Sequence, residues 1–151
     1  WIVPFDALNE FIADAPIQLP TVLPYLQEQN RKNFDIKITF EIETSTKQKT
    51  IVAITNSKYL YWTTAQQIAH HTINGCNLRV GDLLGTGTIS GKEKSSFGSL
   101  LELTWNGTEP INIGTEQRTF LQDGDTTILS AICKNEHKQI GFGEVRNRII
   151  S

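Results

Sequence analysis

Methionine is absent from all 151 residues, position 1 included. Translation starts on methionine, so the sequence reads as a processed chain or as a piece of a longer one. Cysteine is scarce: Cys76 and Cys133 stand alone, with no Cys-x-x-Cys pair. That excludes a disulfide scaffold and predicts two reduced, largely buried thiols of a cytoplasmic protein. No apolar run exceeds a few residues, so no membrane span is expected. The opening Trp1-Ile2-Val3-Pro4-Phe5 lacks a charged n-region and a small-residue cleavage site, which argues against a signal peptide. Neither sign of charge dominates. Lys and Arg total 14 against 16 Asp and Glu, a net charge of −2. The basic residues are scattered, so no nucleic-acid partner is expected. Internal repeats, low-complexity tracts and linkers are missing too.

The residues present describe an ordinary globular domain, 38% apolar and 20% charged. Its length suits one domain with a real core. Pro4, Pro16, Pro20 and Pro24 break up residues 1–32. Within them Phe5, Leu8 and Phe11 fall three apart, enough for one helical turn in an ordered strap over a core. From Phe34 to Ile42 apolar residues alternate strictly with Asp35, Lys37, Thr39 and Glu41. This predicts a half-buried strand, returned as a hairpin by Thr50–Thr55 after the polar turn Ser45–Lys49. A helix follows, with Thr63 or Thr64 as N-cap and Ala65, Ile68, Ala69, Thr72 and Ile73 on one face. Asn74-Gly75 ends it. Further strands are predicted over Leu83–Ile89, Leu100–Trp105, Thr126–Cys133, Gln139–Phe142 and Val145–Ile150, with turns at Asp123–Asp125 and Asn135–His137. The fold class is α+β, mostly β, with one main helix.

Between Tyr59 and Gly107 a family becomes visible. The run Gln66-Gln67-x-x-His70-His71-x-x-Asn74-Gly75-Cys76-Asn77-Leu78-Arg79 is followed by Val80-Gly81-Asp82-Leu83-Leu84-Gly85-Thr86-Gly87-Thr88-Ile89-Ser90-Gly91. Beyond a polar insert comes Ser96-Phe97-Gly98-Ser99-Leu100-Leu101-Glu102-Leu103-Thr104-Trp105-Asn106-Gly107-Thr108. These segments closely resemble the fumarylacetoacetases, hydrolases that cleave a carbon–carbon bond in 4-fumarylacetoacetate during tyrosine and phenylalanine breakdown. Trp1 to Leu8 resembles the family's Trp-Val-Val-Pro segment. Arg118 to Asp125 resembles its Arg-x-Phe-Leu-x-Asp-Gly-Asp turn, and Ile140 to Gly143 its Ile-Gly-Phe-Gly. The likeness spans essentially residues 1–151 and corresponds to the C-terminal portion of the catalytic domain. It implies a layered mixed β-sheet fold, a homodimer, a small-molecule substrate, and Mg2+ or Ca2+ in the parent enzyme. Both the metal-binding carboxylates and the catalytic histidine are implied to lie upstream, so no metal ligand is assigned here. Two other readings stand beside this one. The chain alone is a folded, dimerising module without turnover, or it belongs to a relative acting on another β-diketone such as an acylpyruvate.

The family's reaction needs a deprotonated water, a metal to hold the 1,3-dicarbonyl, and stabilisation of the leaving acetoacetate carbanion. Glu102 sits inside an apolar run, where an unpartnered carboxylate is costly to bury. The pattern alone equally allows an outward-facing strand residue beside Ser99 and Thr104. The resemblance makes Glu102 the partner of the catalytic histidine. Thr88 lies among Gly85, Gly87 and Gly91, residues that let a ligand approach the backbone, or that simply form a bulge. The resemblance makes Thr88 a substrate-binding hydroxyl. No lysine follows in Walker spacing, so this is no phosphate loop. His70 and His71 point roughly 100° apart on a helix and do not chelate one ion together. Packing or a hydrogen bond is expected for His70. Asn74, Asn77 and Arg79 read as capping and turn residues, as do Asp82 and Asp125. Asn106-Gly107-Thr108 is an incidental glycosylation sequon. Lys92–Ser96 replaces the family's proline-containing linker, which bears on the rigidity of the Thr88 loop.

Overall fold

The strand expected from Phe34 to Ile42 is divided between two sheets. The computed structural model describes residues 2–150, so Trp1 of the first family-like segment lies outside them. A short strand β1 (Ile12–Asp14) pairs antiparallel with β2 (Lys32–Phe34). The chain then steps through Asp35 and Ile36 into β3 (Lys37–Glu43). At the step the Asp35 carboxylate accepts a hydrogen bond from Asn56 Nδ2 at 2.6 Å, and the Asp35 amide donates to the Phe11 carbonyl at 2.7 Å. The second bond satisfies the Asp35 amide where the chain leaves one ladder for the next.

From Lys37 onward the expected strand forms, but both of its faces are partly covered and only Ile42 is fully buried. The chain reverses at Lys47, whose φ is 70°, and returns as β4 (Lys49–Asn56) with a bulge opposite Phe40 and Glu41. On the other side β3 pairs with β7 (Thr126–Lys134), which pairs with β8 (Gln139–Arg148). The sheet order is β4-β3-β7-β8, and every pairing is antiparallel. A small hairpin of β5 (Ile111–Ile113) and β6 (Glu116–Arg118) completes the β structure among the described residues. Ile42 and Ile128 are fully buried on the central sheet, as is Ile113 on the hairpin. The N-terminal strap covers one end. A 3-10 helix at Phe5–Phe11 turns Leu8 and Phe11 onto Cys133, with Phe34, Ile36, Ile140 and Phe142 packed around them. The architecture is α+β and mostly β.

The helix α1 (Thr64–Thr72) starts where the sequence places it. The Thr63 hydroxyl accepts from the Gln66 amide at 3.2 Å and the Gln66 side chain accepts from the Thr63 amide at 3.1 Å, a reciprocal capping box. The apolar face of α1 is largely exposed. Ile68 and Ile73 are 43% and 57% exposed, and Ala65 is exposed as well. The side facing the strap is polar instead: Gln66 is buried, donating to the Leu26 carbonyl at 2.6 Å and bonding Gln18 at 3.0 Å. Helical periodicity marks a face that wants a partner, and Ile68 and Ile73 on it stay exposed.

Two expected strands are not strands. Leu83–Ile89 pairs with nothing among the described residues, and Leu83 is almost wholly exposed. Gly81 and Gly87 have φ of 97° and 73°, outside the range of a ladder. Leu100–Trp105 coils instead into the single-turn helix α2 (Leu100–Leu103), closed by positive φ at Trp105 and Asn106. A short apolar run suits either element, and here the Ser99 cap decides. The strands expected at Gln139–Phe142 and Val145–Ile150 merge into the one long β8. The thiols also divide: Cys133 is buried, but Cys76 is exposed. Among the described residues no helix is long and apolar enough to cross a membrane.

Candidate active site

Thr88 and Glu102 come to the same place. Both line an open cleft of about 490 Å3, bounded also by Tyr59, Leu60, Tyr61, Ile89, Ser90, Ser99 and Leu101. Thr88 additionally borders two adjoining hollows, one towards Tyr61, Trp62, His70 and His71, the other towards Phe40, Thr55 and Leu129. The irregular Leu84–Ser90 segment therefore runs where three concavities meet. A ladder strand would have its backbone engaged there, whereas this one leaves its groups open to a ligand.

Glu102 is half-buried on α2, and hydroxyl groups hold its carboxylate. Ser90 Oγ donates to it, lying 2.9 Å from Oε1 and 2.7 Å from Oε2, and Ser99 Oγ donates to Oε2 at 2.9 Å. Ser99 also accepts from the Glu102 amide at 3.3 Å, so one side chain caps the helix and touches the acid. Gly98 joins the two segments. Its amide donates to Ser90 Oγ at 3.0 Å, while a Cβ at Gly98 would overlap the Ile89 carbonyl and come 2.9 Å from the Thr88 methyl. Only glycine permits that approach. Sequence reasoning named Glu102 and Thr88 as candidates but not the serines that bond Glu102, although the Ser-x-x-Glu spacing of Ser99 and Glu102 is a visible helix-start signal.

The remaining candidates serve the framework. His70 Nδ1 lies 3.0 Å from the Tyr25 hydroxyl, with the two rings stacked, and His71 Nε2 lies 3.3 Å from Cys76 Sγ. Asn74 Oδ1 accepts from the Cys76 amide at 3.2 Å, and Asp82 Oδ2 from the Arg79 amide at 2.8 Å, both as turn residues. Asn77 and Arg79 are exposed. Among the described residues no three His, Cys, Asp or Glu side chains gather as a metal site would require.

Asp125 is more than a turn residue. It is fully buried and takes a two-pronged hydrogen bond from Arg118, Nε to Oδ2 at 2.8 Å and Nη2 to Oδ1 at 2.9 Å. Arg118 Nη2 reaches Glu116 at 2.9 Å, and Glu116 also accepts from Thr44 at 2.6 Å and from Thr46. The ends of the Arg118–Asp125 motif thus pin the turn shut. The Thr44, Thr46 and Arg118 donors draw the Glu116 carboxyl down to about 2, and Arg118 holds Asp125 below the usual carboxylate range. Both groups bind protons more weakly folded than unfolded. Their stabilisation is complete above the unfolded carboxylate range near pH ~4 and is lost as pH falls towards about 2. Denaturant midpoints measured from pH 7 downward are expected to hold to about pH 5 and then fall.

The chain was compared with known proteins. The family model described as "Fumarylacetoacetate (FAA) hydrolase C-terminal" matches residues 1–150. Fumarylacetoacetase of Oryza sativa subsp. japonica is 50% identical over 151 residues, which cover 99% of this chain and 35% of that protein. The fumarylacetoacetases of Dictyostelium discoideum and Homo sapiens are 48% and 45% identical, each over 99% of this chain and 36% of the relative. The chain therefore spans little more than a third of the length of these curated relatives.

Proposed function

This chain belongs to the fumarylacetoacetate hydrolase family, and on that premise we propose that it supplies one wall of a fumarylacetoacetase active site. The full-length protein is read as hydrolysing 4-fumarylacetoacetate to fumarate and acetoacetate, in the cytoplasm, within tyrosine and phenylalanine catabolism. The observation carrying this reading is that Thr88 and Glu102, far apart in pattern, line one cleft with the carboxylate already oriented.

In the reaction, water adds to a ketone carbonyl and gives up its proton. The carbon–carbon bond then breaks, and its electron pair leaves with acetoacetate, which takes up a proton. Glu102 is assigned to orient a histidine from the upstream part of the protein and to support the imidazolium formed when that histidine takes the water's proton. Thr88 is assigned to donate its hydroxyl to a substrate carboxylate. The divalent metal, Mg2+ or Ca2+, is assigned to upstream ligands on the family likeness, and the described residues offer no cluster that would hold it. Thr88→Val in the full-length protein is expected to raise KM for fumarylacetoacetate about ten- to a hundredfold, the loss of one hydrogen bond to a charged group. Unchanged steady-state kinetics would remove Thr88 from the site. An acylpyruvate assayed in parallel tests the neighbouring substrate class.

A second reading concerns the chain by itself, as a module that associates without turnover. The exposed apolar set Trp62, Ile68, Ile73, Val80, Leu83 and Leu84 favours it, together with the outer edge of β4. Sedimentation at micromolar concentration is expected to show self-association, as in a homodimer. A clean monomer would count against it.

A further inference from the structure

A glutamate on a single helical turn, half open to a cleft, has a mobile carboxylate unless something fixes its plane, because the terminal torsion of glutamate is broad. Here two hydroxyls do so from different chain segments. A serine hydroxyl has one proton to give and lone pairs with which to accept. The Gly98 amide donates to Ser90 Oγ at 3.0 Å, and the Glu102 amide to Ser99 Oγ at 3.3 Å. Each serine thus accepts from the backbone and turns its proton to the carboxylate, Ser90 across both oxygens and Ser99 to Oε2. Oε2 takes donors from both serines, while Oε1 takes Ser90 alone and keeps capacity for one more donor.

We propose that Ser90 and Ser99 are positioning residues of the reaction, a pair of hydroxyls that fix the Glu102 carboxylate and leave Oε1 to receive the histidine. This rests on the reading of Glu102 as that histidine's partner. The close approach of Gly98 to the Ile89 carbonyl keeps the two serine-bearing segments in register. Both serines act through Glu102, so their loss lowers the rate of the chemical step without weakening substrate binding.

The test is steady-state kinetics on the full-length protein with fumarylacetoacetate, each variant first shown to be folded by its thermal unfolding midpoint. Ser90→Ala is expected to lower kcat about ten- to a hundredfold with KM unmoved, the effect of one lost hydrogen bond to a charged group. Ser90→Thr, which keeps the hydroxyl, restores most of it. Combined with Glu102→Gln, Ser90→Ala adds nothing further. Ser99→Gly separates capping from clamping: glycine remains a tolerated N-cap but has no hydroxyl to donate, so kcat falls while α2 stays capped. It also keeps the test decisive if Ser90→Ala fails to fold. If Glu102→Gln abolishes turnover but both serine variants keep wild-type kcat, the positioning role is wrong and the role of Glu102 stands. An equal loss from Ser90→Ala with and without the Glu102 carboxylate would show that Ser90 acts only on the fold. A Glu102→Gln protein with undiminished kcat would overturn both.

Discussion

Glu102→Gln in the full-length protein is expected to lower kcat for fumarylacetoacetate by about 10²–10⁴-fold while leaving KM nearly unchanged. The substitution keeps size and shape, so the cleft beside Thr88 and Tyr61 should persist. What changes is charge and donor pattern. The carboxylate accepts from Ser90 and Ser99, whereas an amide offers one acceptor oxygen and an NH2 that meets hydroxyls already donating. An amide also carries no negative charge to support an imidazolium as it forms. Initial rates at saturating and limiting substrate separate the two parameters. An unaltered kcat would take Glu102 out of the chemistry.

The second large effect is on stability. Asp125→Ala is expected to cost about 3–5 kcal/mol, read from denaturant unfolding at pH 7. Arg118 is 5% exposed and Asp125 is fully buried, so removing the carboxylate strands a guanidinium away from water. Glu116 remains beside Arg118 Nη2, but Nε loses its acceptor, and so does the Gln122 amide that bonds Asp125 at 2.9 Å. Replacing both partners by apolar residues, Arg118→Met with Asp125→Leu, should recover part of the loss, because no guanidinium is then stranded, although Glu116 keeps only its Thr44 and Thr46 donors. An Asp125→Ala protein as stable as the parent would mean that the pair contributes nothing net.

Local pattern carried much of the fold. The β3–β4 hairpin follows from a polar turn between two strand-like runs, and the start of α1 follows from Thr63, one of the two N-caps the sequence offers. The strap over the core follows from Leu8 and Phe11 spaced by one turn. What pattern missed depends on partners distant in the chain. Phe34 belongs with Ile12 rather than with β3, and no window around Phe34 contains that information. Leu83–Ile89 has strand-like composition but no neighbour to complete a ladder among the described residues, and a strand cannot satisfy its own backbone. The apolar face of α1 was legible, but its exposure was not, since periodicity reports a preference and not the presence of a partner.

The site was legible in a different way. Glu102 and Thr88 came from the likeness of whole segments, and the cleft brings them together. Residue pattern alone left both open, because a carboxylate in an apolar run and a threonine among glycines each have ordinary structural uses. Ser90 lies twelve positions before Glu102 and meets it only through the turn at Gly91–Gly98, a contact that spacing does not reveal. Asp125 looked like a turn residue because it is one, and its burial against Arg118 depends on how β6 is placed.

The most direct measurement is hydrolysis of fumarylacetoacetate by this 151-residue chain and by a chain of the relatives' full length that carries it, side by side with added Mg2+. The expected result is turnover by the full-length protein and none by the 151 residues alone, because the proposal assigns the water-activating histidine to the upstream part of the protein. Turnover by the short chain, or none by the full-length protein, would contradict the assignment of this chain as one wall of a fumarylacetoacetase site.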